Sequence, residues 1–415
     1  MKTIELLAPA GNLEKLQTAF LYGADAVYVG GQEFSLRAKA GNFTLEELQE
    51  GRRISRSLGK KLYVALNIFP HNQDLEGISS YLRELESIGV DALILSDPGV
   101  IWLAQKHAPS LPIHLSTQAN TQNWAACSFW REQGVERVVL GREVSMSEIK
   151  EIADRSSMEL EAFVHGAMCM AYSGRCMLSM HLTGRSANSG SCTHPCRWEY
   201  YVVEKQRKSE YMPIEEDERG TYIFNSKDLC VLPQLEAFID SGITSLKIEG
   251  RMKSIHYVAT TTKAYREALD LILENRDFEA AIPHLMEELN GIGERAYTMG
   301  FYGPEPDSQM QQYDPTNVEK YIRFVGKVLE NQAGELVIEQ RNKFNKGDVL
   351  EVLQPYGPNL TFRVESIVDM EGNPQESAPH PRQMLRLKAR EDILPGALLR
   401  IRTDRLEDDD DSTEA

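Results

Sequence analysis

From its start to about residue 270, the chain alternates short apolar runs with longer stretches whose apolar positions recur every three to four residues. The first pattern predicts buried strands and the second predicts amphipathic helices. Glu5-Leu-Leu-Ala-Pro-Ala-Gly11 reads as a strand ending in a turn, with Asn12 capping a helix that runs to about Leu21. Further strand candidates follow at Ala24–Gly30, Leu62–Asn67, Ala92–Ser96, Ile113–Thr117, Arg137–Leu140, Leu160–His165, Tyr222–Asn225 and Ser245–Glu249. The helices between them end in Tyr22-Gly-Ala-Asp, Ile88-Gly-Val-Asp, Gln133-Gly-Val-Glu and Ser241-Gly-Ile-Thr. Glycine just past a helix, then an apolar residue and a strand, is the loop chemistry of parallel sheets. About eight such units predict an α/β fold, a TIM-like β/α barrel, with an open doubly wound sheet as the alternative. Nine candidates for eight places make one of them an edge strand or a misreading.

Beyond Tyr313 the period changes to two. Val325–Leu329, Glu335–Glu339, Asp348–Leu353, Thr361–Glu365 and Leu398–Arg402 are separated by Gly, Asn and Pro turns and predict a small all-β barrel. The domain reading is a barrel over 1–300 with a cysteine-rich insertion at 165–230, then a linker at 301–319. A C-terminal β-barrel domain over 320–403 and an acidic, disordered tail over 404–415 complete it.

The net charge of −17 argues against broad, nonspecific nucleic-acid binding, but its distribution is uneven. The tail from Glu407 carries −6, residues 1–319 carry −13, and residues 320–402 carry +2. Arg341, Lys343 and Lys346 around one turn, and Arg386, Lys388 and Arg390 along one strand, are candidate phosphate contacts or a solvated face. The N-terminal apolar stretch is broken by Glu5 and Pro9, and no run of about 18 apolar residues exists, so the expectation is a soluble, cytoplasmic protein with no membrane segment.

Candidate chemistry is concentrated. Five of the six cysteines fall between positions 169 and 230: Cys169, Cys176, Cys192, Cys196 and Cys230. In a reducing compartment, thiols gathered in this way are ligands or catalysts more often than disulfides. They suit an iron–sulfur cluster or zinc, although the paired Cys-x-x-Cys hairpins of zinc ribbons are missing. Cys127, flanked by Trp124 and Trp130 on a helix, reads as a core or surface thiol. In a barrel, reactive groups lie at the C-terminal strand ends, which makes His165 and Glu249 candidate catalytic residues. Alternation along the last strand would set Lys247, Glu249 and Arg251 on one face, as an anion site or a salt-bridged strand end. Arg197 beside Trp198 is a further candidate for an anion or a stacked base.

His165-Gly-Ala-Met-Cys-Met-Ala-Tyr-Ser-Gly-Arg-Cys176, Gly190-Ser-Cys-Thr-His-Pro-Cys-Arg-Trp198, Asn225-Ser-Lys-Asp-Leu-Cys230 and Leu246-Lys-Ile-Glu-Gly-Arg-Met-Lys253 together resemble the signatures of peptidase family U32, as do Leu7-Ala-Pro-Ala-Gly11 and Leu115-Ser-Thr-Gln-Ala-Asn120. The likeness extends over nearly the whole chain. It implies a [4Fe–4S] cluster on Cys169, Cys176, Cys192 and Cys230, with Cys196 able to replace Cys192. It also implies tRNA as substrate, 5-hydroxyuridine at the wobble position as product and prephenate, a small dicarboxylate, as required metabolite. Lys247, Arg251 and Arg197 would then be substrate-binding, and a second member of the same family could be a partner. The family's name offers the alternative of a collagenase-like cysteine- or metal-dependent peptidase. No His-Glu-x-x-His or Gly-x-Ser-x-Gly pattern supports it.

Overall fold

The computed structural model describes residues 4–32, 42–168, 227–303 and 321–403, and the backbone of four short strands between 202 and 222. Eight parallel strands form a ring: β1 (Glu5–Pro9), β2 (Ala26–Gly30), β3 (Lys61–Leu66), β4 (Ala92–Leu95), β5 (Ile113–Leu115), β6 (Arg137–Val139), β7 (Glu159–Ala167) and β13 (Ser245–Ile248). Consecutive strands pair in order, and β13 closes the circle by pairing with both β1 and β7. Closure excludes the open sheet. Of the ninth candidate, Tyr222–Asn225, only Tyr222 lies among the described residues, at the end of a short strand outside the ring. The short strands β8 (Val202–Val203) and β9 (Tyr211–Met212) pair with each other, as do β10 (Glu215–Asp217) and β11 (Gly220–Tyr222).

Local sequence explains the turns between strands. The Asn12 side chain accepts from the Lys15 backbone N–H at 2.9 Å, capping α1 (Leu13–Leu21), and Thr44 with Glu47 forms a capping box on α2 (Leu45–Ser57). Further helices α3 (Leu75–Ile88), α4 (Pro98–His107), α5 (Trp124–Glu132) and α6 (Met146–Ser156) alternate with the strands. Gly23, Gly89, Gly134 and Gly242, the glycines of the four loop phrases, all take positive φ, where a Cβ is strained. After β7 come α7 (Leu235–Asp240), α8 (Ile255–Leu273) and α9 (Ile282–Ile292).

Outward-facing strand residues pack on the helices in one large apolar core that includes Cys127. The barrel interior is mixed. Leu7, Ala26, Tyr28, Tyr63, Ala65, Ala92 and Ile94 form its apolar part. Below them Arg137 pairs with Glu5 at 2.5 Å and Glu161 at 3.3 Å, and Lys247 pairs with Glu161 at 2.6 Å. Tyr63 and Ser245 donate hydroxyl hydrogen bonds to Glu5 at 2.6 and 2.8 Å. Burial pushes the Glu5 carboxyl up, but Arg137 outweighs it and holds the group below the usual carboxylate range. Each buried charge here has an opposite neighbour, the condition under which such burial is tolerated.

The C-terminal domain is an antiparallel half-barrel built on β15 (Ile322–Gln332), β16 (Glu335–Gln340), β17 (Phe344–Asn345), β18 (Val349–Leu353), β19 (Leu360–Arg363), β20 (Ile367–Asp369), β21 (Pro374–Gln375), β22 (Ser377–Ala378), β23 (Met384–Lys388) and β24 (Leu398–Arg402). It docks firmly on α1, α8 and α9. Tyr22, Ile255, Ala259, Leu353 and Leu398 bury a shared apolar patch, and the Tyr22 hydroxyl donates to the Leu353 carbonyl at 2.8 Å. Arg400, fully buried, reaches Glu288 at 2.5 Å and Glu351 at 2.9 Å, while Arg402 binds Glu351 at 2.7 Å, Glu287 at 2.8 Å and Glu288. Arg341 is part of this interface, paired with Glu14 and Glu339. Lys346, Arg386 and Arg390 pair with Glu376, Glu335 and Asp392 within the domain. Of the basic residues proposed for phosphate, Lys343 and Lys388 are exposed and make no ion pair among the described residues.

Candidate active site

The C-terminal end of β7 organises the site. β7 runs on past the point where β6 stops pairing with it. There β12 (Asp228–Cys230) adds antiparallel to it, in the register Ala167↔Asp228, Gly166↔Leu229 and Cys230↔His165. Cys230 thus lies on a strand of its own, not in a loop after a strand ending near Asn225. A parallel ring has no local signal for such an antiparallel addition. β14 (Tyr297–Thr298) extends the sheet beyond β12.

His165 is fully buried in an aromatic cage, its ring centroid 5.9, 5.6 and 5.1 Å from those of Tyr257, Tyr265 and Tyr297. Its Nδ1 lies 3.4 Å from the Tyr265 hydroxyl, which donates to the Val164 carbonyl at 2.7 Å. Burial, with help from Lys253, pushes its pKa down to about 3. Cys230 Sγ is 3.7 Å from the same hydroxyl and 3.8 Å from Met286 Sδ. Burial pushes the Cys230 thiol up to about 11.

β13 ends at Ile248, so the predicted alternation does not reach Arg251. Lys247 points into the barrel, engaged with Glu161 and 4.4 Å above the Tyr28 ring. Glu249 leads into a turn over Gly250–Lys253, closed by the Lys253 N–H donating to the Gly250 carbonyl at 2.9 Å. The Glu249 carboxylate is 3.8 Å from Arg142, and its carbonyl accepts from the Tyr257 hydroxyl at 2.9 Å. Arg251 is buried within that turn, and its carbonyl accepts from Lys15 Nζ at 3.2 Å. Gly166 has a φ of 104° and lies so close to this turn that a Cβ there would meet the Glu249 carbonyl oxygen at 2.6 Å. His165, Cys230 and Glu249 are therefore brought together around β7, with Arg251 in the turn that follows Glu249. Cys169, Cys176, Cys192, Cys196 and Arg197 lie outside the described residues. Among the described residues, no group of three or more His, Cys, Asp or Glu is placed to hold a metal.

Sequence reasoning passed over Arg142. It follows β6, and its guanidinium carbon sits 3.6 Å from the Phe163 ring centroid while it faces Glu249. Its place just past a strand's C-terminal end was the available signal. The tyrosines around His165 come from one helix, α8, and a short strand, β14, both distant in sequence, which no local pattern reveals.

The profile of Peptidase family U32 matches residues 11–312, and that of the Peptidase family U32 C-terminal domain matches residues 320–400. The chain belongs to peptidase family U32. The tRNA hydroxylation protein P1 of Bacillus subtilis (strain 168) is 41% identical over 401 residues, covering 96% of this chain and 95% of that protein. tRNA hydroxylation protein P of Escherichia coli (strain K12) is 42% identical, with 90% and 91% covered. The 23S rRNA 5-hydroxycytidine C2501 synthase of Escherichia coli (strain K12) is 37% identical over 66% of this chain and 40% of its own length.

Proposed function

We propose that this chain is an iron–sulfur-dependent RNA hydroxylation protein that acts on tRNA, forming 5-hydroxyuridine at the wobble position with prephenate as required metabolite. The observation that carries the reading is similarity above 40% across both domains to proteins named for tRNA hydroxylation. Among the described residues, no helix is long and apolar enough to cross a membrane, in keeping with a substrate such as tRNA.

The residues at the end of β7 suit the cofactor. Cys230 offers a soft sulfur donor in an apolar, aromatic setting beside the strand that leads into Cys169. Cys169, Cys176, Cys192 and Cys230 are the proposed ligands. A [4Fe–4S] cluster held there would supply one-electron chemistry. Glu249 and His165 flank the place, His165 as a ring that burial keeps neutral near pH 7. Arg251, with Arg197, is the proposed seat of the metabolite's carboxylates, since a guanidinium matches a carboxylate in two parallel hydrogen bonds. Lys247 supports the site from within the barrel.

Proteolysis is less favoured. A peptidase dyad would need a base within reach of a thiolate, and a histidine titrating near 3 accepts protons poorly at neutral pH. Nucleoside mass spectrometry of tRNA from a deletion strain tests the proposal. Wild-type gene on a plasmid should restore 5-hydroxyuridine and Cys230→Ala should not. Equal restoration by both would remove the cluster from the reading.

A further inference from the structure

The rim formed by the ends of β4, β5 and β6 is built as one continuous arc. The Ser116 N–H donates to the Leu95 carbonyl at 2.6 Å, the Thr117 hydroxyl to the Leu140 carbonyl at 3.2 Å, and the Gly141 N–H to the Thr121 carbonyl at 3.5 Å. Along this arc Ser96 Oγ, Gln118 Oε1 and Thr121 Oγ1 are buried, and among the described residues no group bonds to any of them. Gln118 is 7% exposed, and the left-handed Asn120 (φ 51°) ends the short turn that holds it. A buried polar atom without a partner costs roughly 1–3 kcal/mol, so three on the ligand-binding face of a β/α barrel call for a ligand.

The character of that ligand follows from charge. The cation at the end of the arc, Arg142, already faces the Glu249 carboxylate and stacks on Phe163. The arc therefore presents hydroxyls and a carboxamide around a locally balanced ion pair. A dianion would demand excess positive charge, whereas a neutral ring bearing adjacent N–H and C=O groups is complementary to a carboxamide, which accepts and donates side by side. We infer that Ser96, Gln118 and Thr121 form the subsite for the pyrimidine base undergoing modification, with Gln118 reading its hydrogen-bonding edge and Arg142 forming one wall. The inference rests on the RNA reading above and names the part of the molecule that recognises the base. A base read at this arc must leave the stack, since an edge within a helix is already paired.

The test uses two synthetic anticodon stem-loops, one with uridine at the wobble position and one abasic there, binding to full-length wild-type protein and to Gln118→Leu. Wild type should bind the uridine stem-loop roughly tenfold more tightly, the loss expected for a sheltered pair of hydrogen bonds. Gln118→Leu should bind both alike, at the affinity wild type shows for the abasic form. Thr121→Val, which keeps shape and volume, should lose part of the preference and guards against misfolding of the first variant. A preference that persists in both variants overturns the subsite. So does an unchanged preference coupled to a higher requirement for the dicarboxylate, which would make the arc an acid site. Wild type that binds neither stem-loop overturns the RNA reading beneath it.

Discussion

Cys230 and His165 are directly opposed in the pairing of β12 with β7, and the Tyr265 hydroxyl lies within 3.7 Å of Cys230 Sγ and 3.4 Å of His165 Nδ1. One residue of α8 thus ties the candidate cluster ligand and the candidate catalytic histidine to the backbone of β7. Tyr265→Phe removes the donor to the Val164 carbonyl in a buried site and should cost about 1–3 kcal/mol in urea unfolding. Iron content after anaerobic purification should stay at the wild-type level, because Cys230 keeps its place. A variant as stable as wild type would show that the tie carries no load.

Anaerobically purified protein should be brown with about four irons per chain, and Cys169→Ala, Cys176→Ala or Cys230→Ala should each abolish the colour. Colourless wild-type protein with one equivalent of zinc would end the cluster assignment.

Arg400 is fully enclosed between Glu288 of the barrel and Glu351 of the β domain. Arg400→Ala should cost about 3–5 kcal/mol, since two carboxylates remain buried beside one guanidinium fewer. Adding Glu288→Gln should recover part of the loss. Strict additivity in this double-mutant cycle would contradict the coupling described for the interface.

Much of the barrel could be read from sequence: the four glycine loops, the Asn12 cap and the eight ring strands follow local rules. The pairings across the ring could not. Glu161 and Lys247 lie on strands far apart in sequence, and alternation says that each shares a face with its neighbours without saying that both faces are the same interior. Arg341 was equally opaque, because a basic residue beside a turn looks the same whether it meets phosphate or Glu14.

The pairing of Arg341 sharpens the nucleic-acid prediction. Lys343→Glu and Lys388→Glu should weaken tRNA binding and lower the slope of log affinity against log salt by roughly one unit or less each. Arg341→Glu should instead loosen the docked domain, read as lower thermal stability. Wild-type salt dependence in both lysine variants would remove the β domain from the tRNA contact.

His114 stands inside the barrel beside Tyr63, with Arg137, Lys247 and Lys61 against its charged form and Glu5 favouring it. Burial first, then Arg137, lowers its pKa well below 6.5, so the unfolded chain takes up this proton first as pH falls. The stability gained from the neutral ring is whole above about pH 6.5 and declines below it, by up to about 1.4 kcal/mol per pH unit. His114→Phe should flatten that acid arm in urea unfolding between about pH 6.5 and 4.5. An unchanged slope would assign the arm to other groups.

The register Ala167↔Asp228 has a consequence for how the protein is assembled. The chain departs from the barrel and re-enters it at neighbouring rungs of one ladder, so everything between is a guest whose two feet stand side by side. The ring itself closes through β13, β1 and β7 without calling on that guest. A short hairpin turn could join the feet directly. The host can therefore be complete whatever length of chain runs between its two feet, and a change in that length need not disturb the geometry of the barrel beneath.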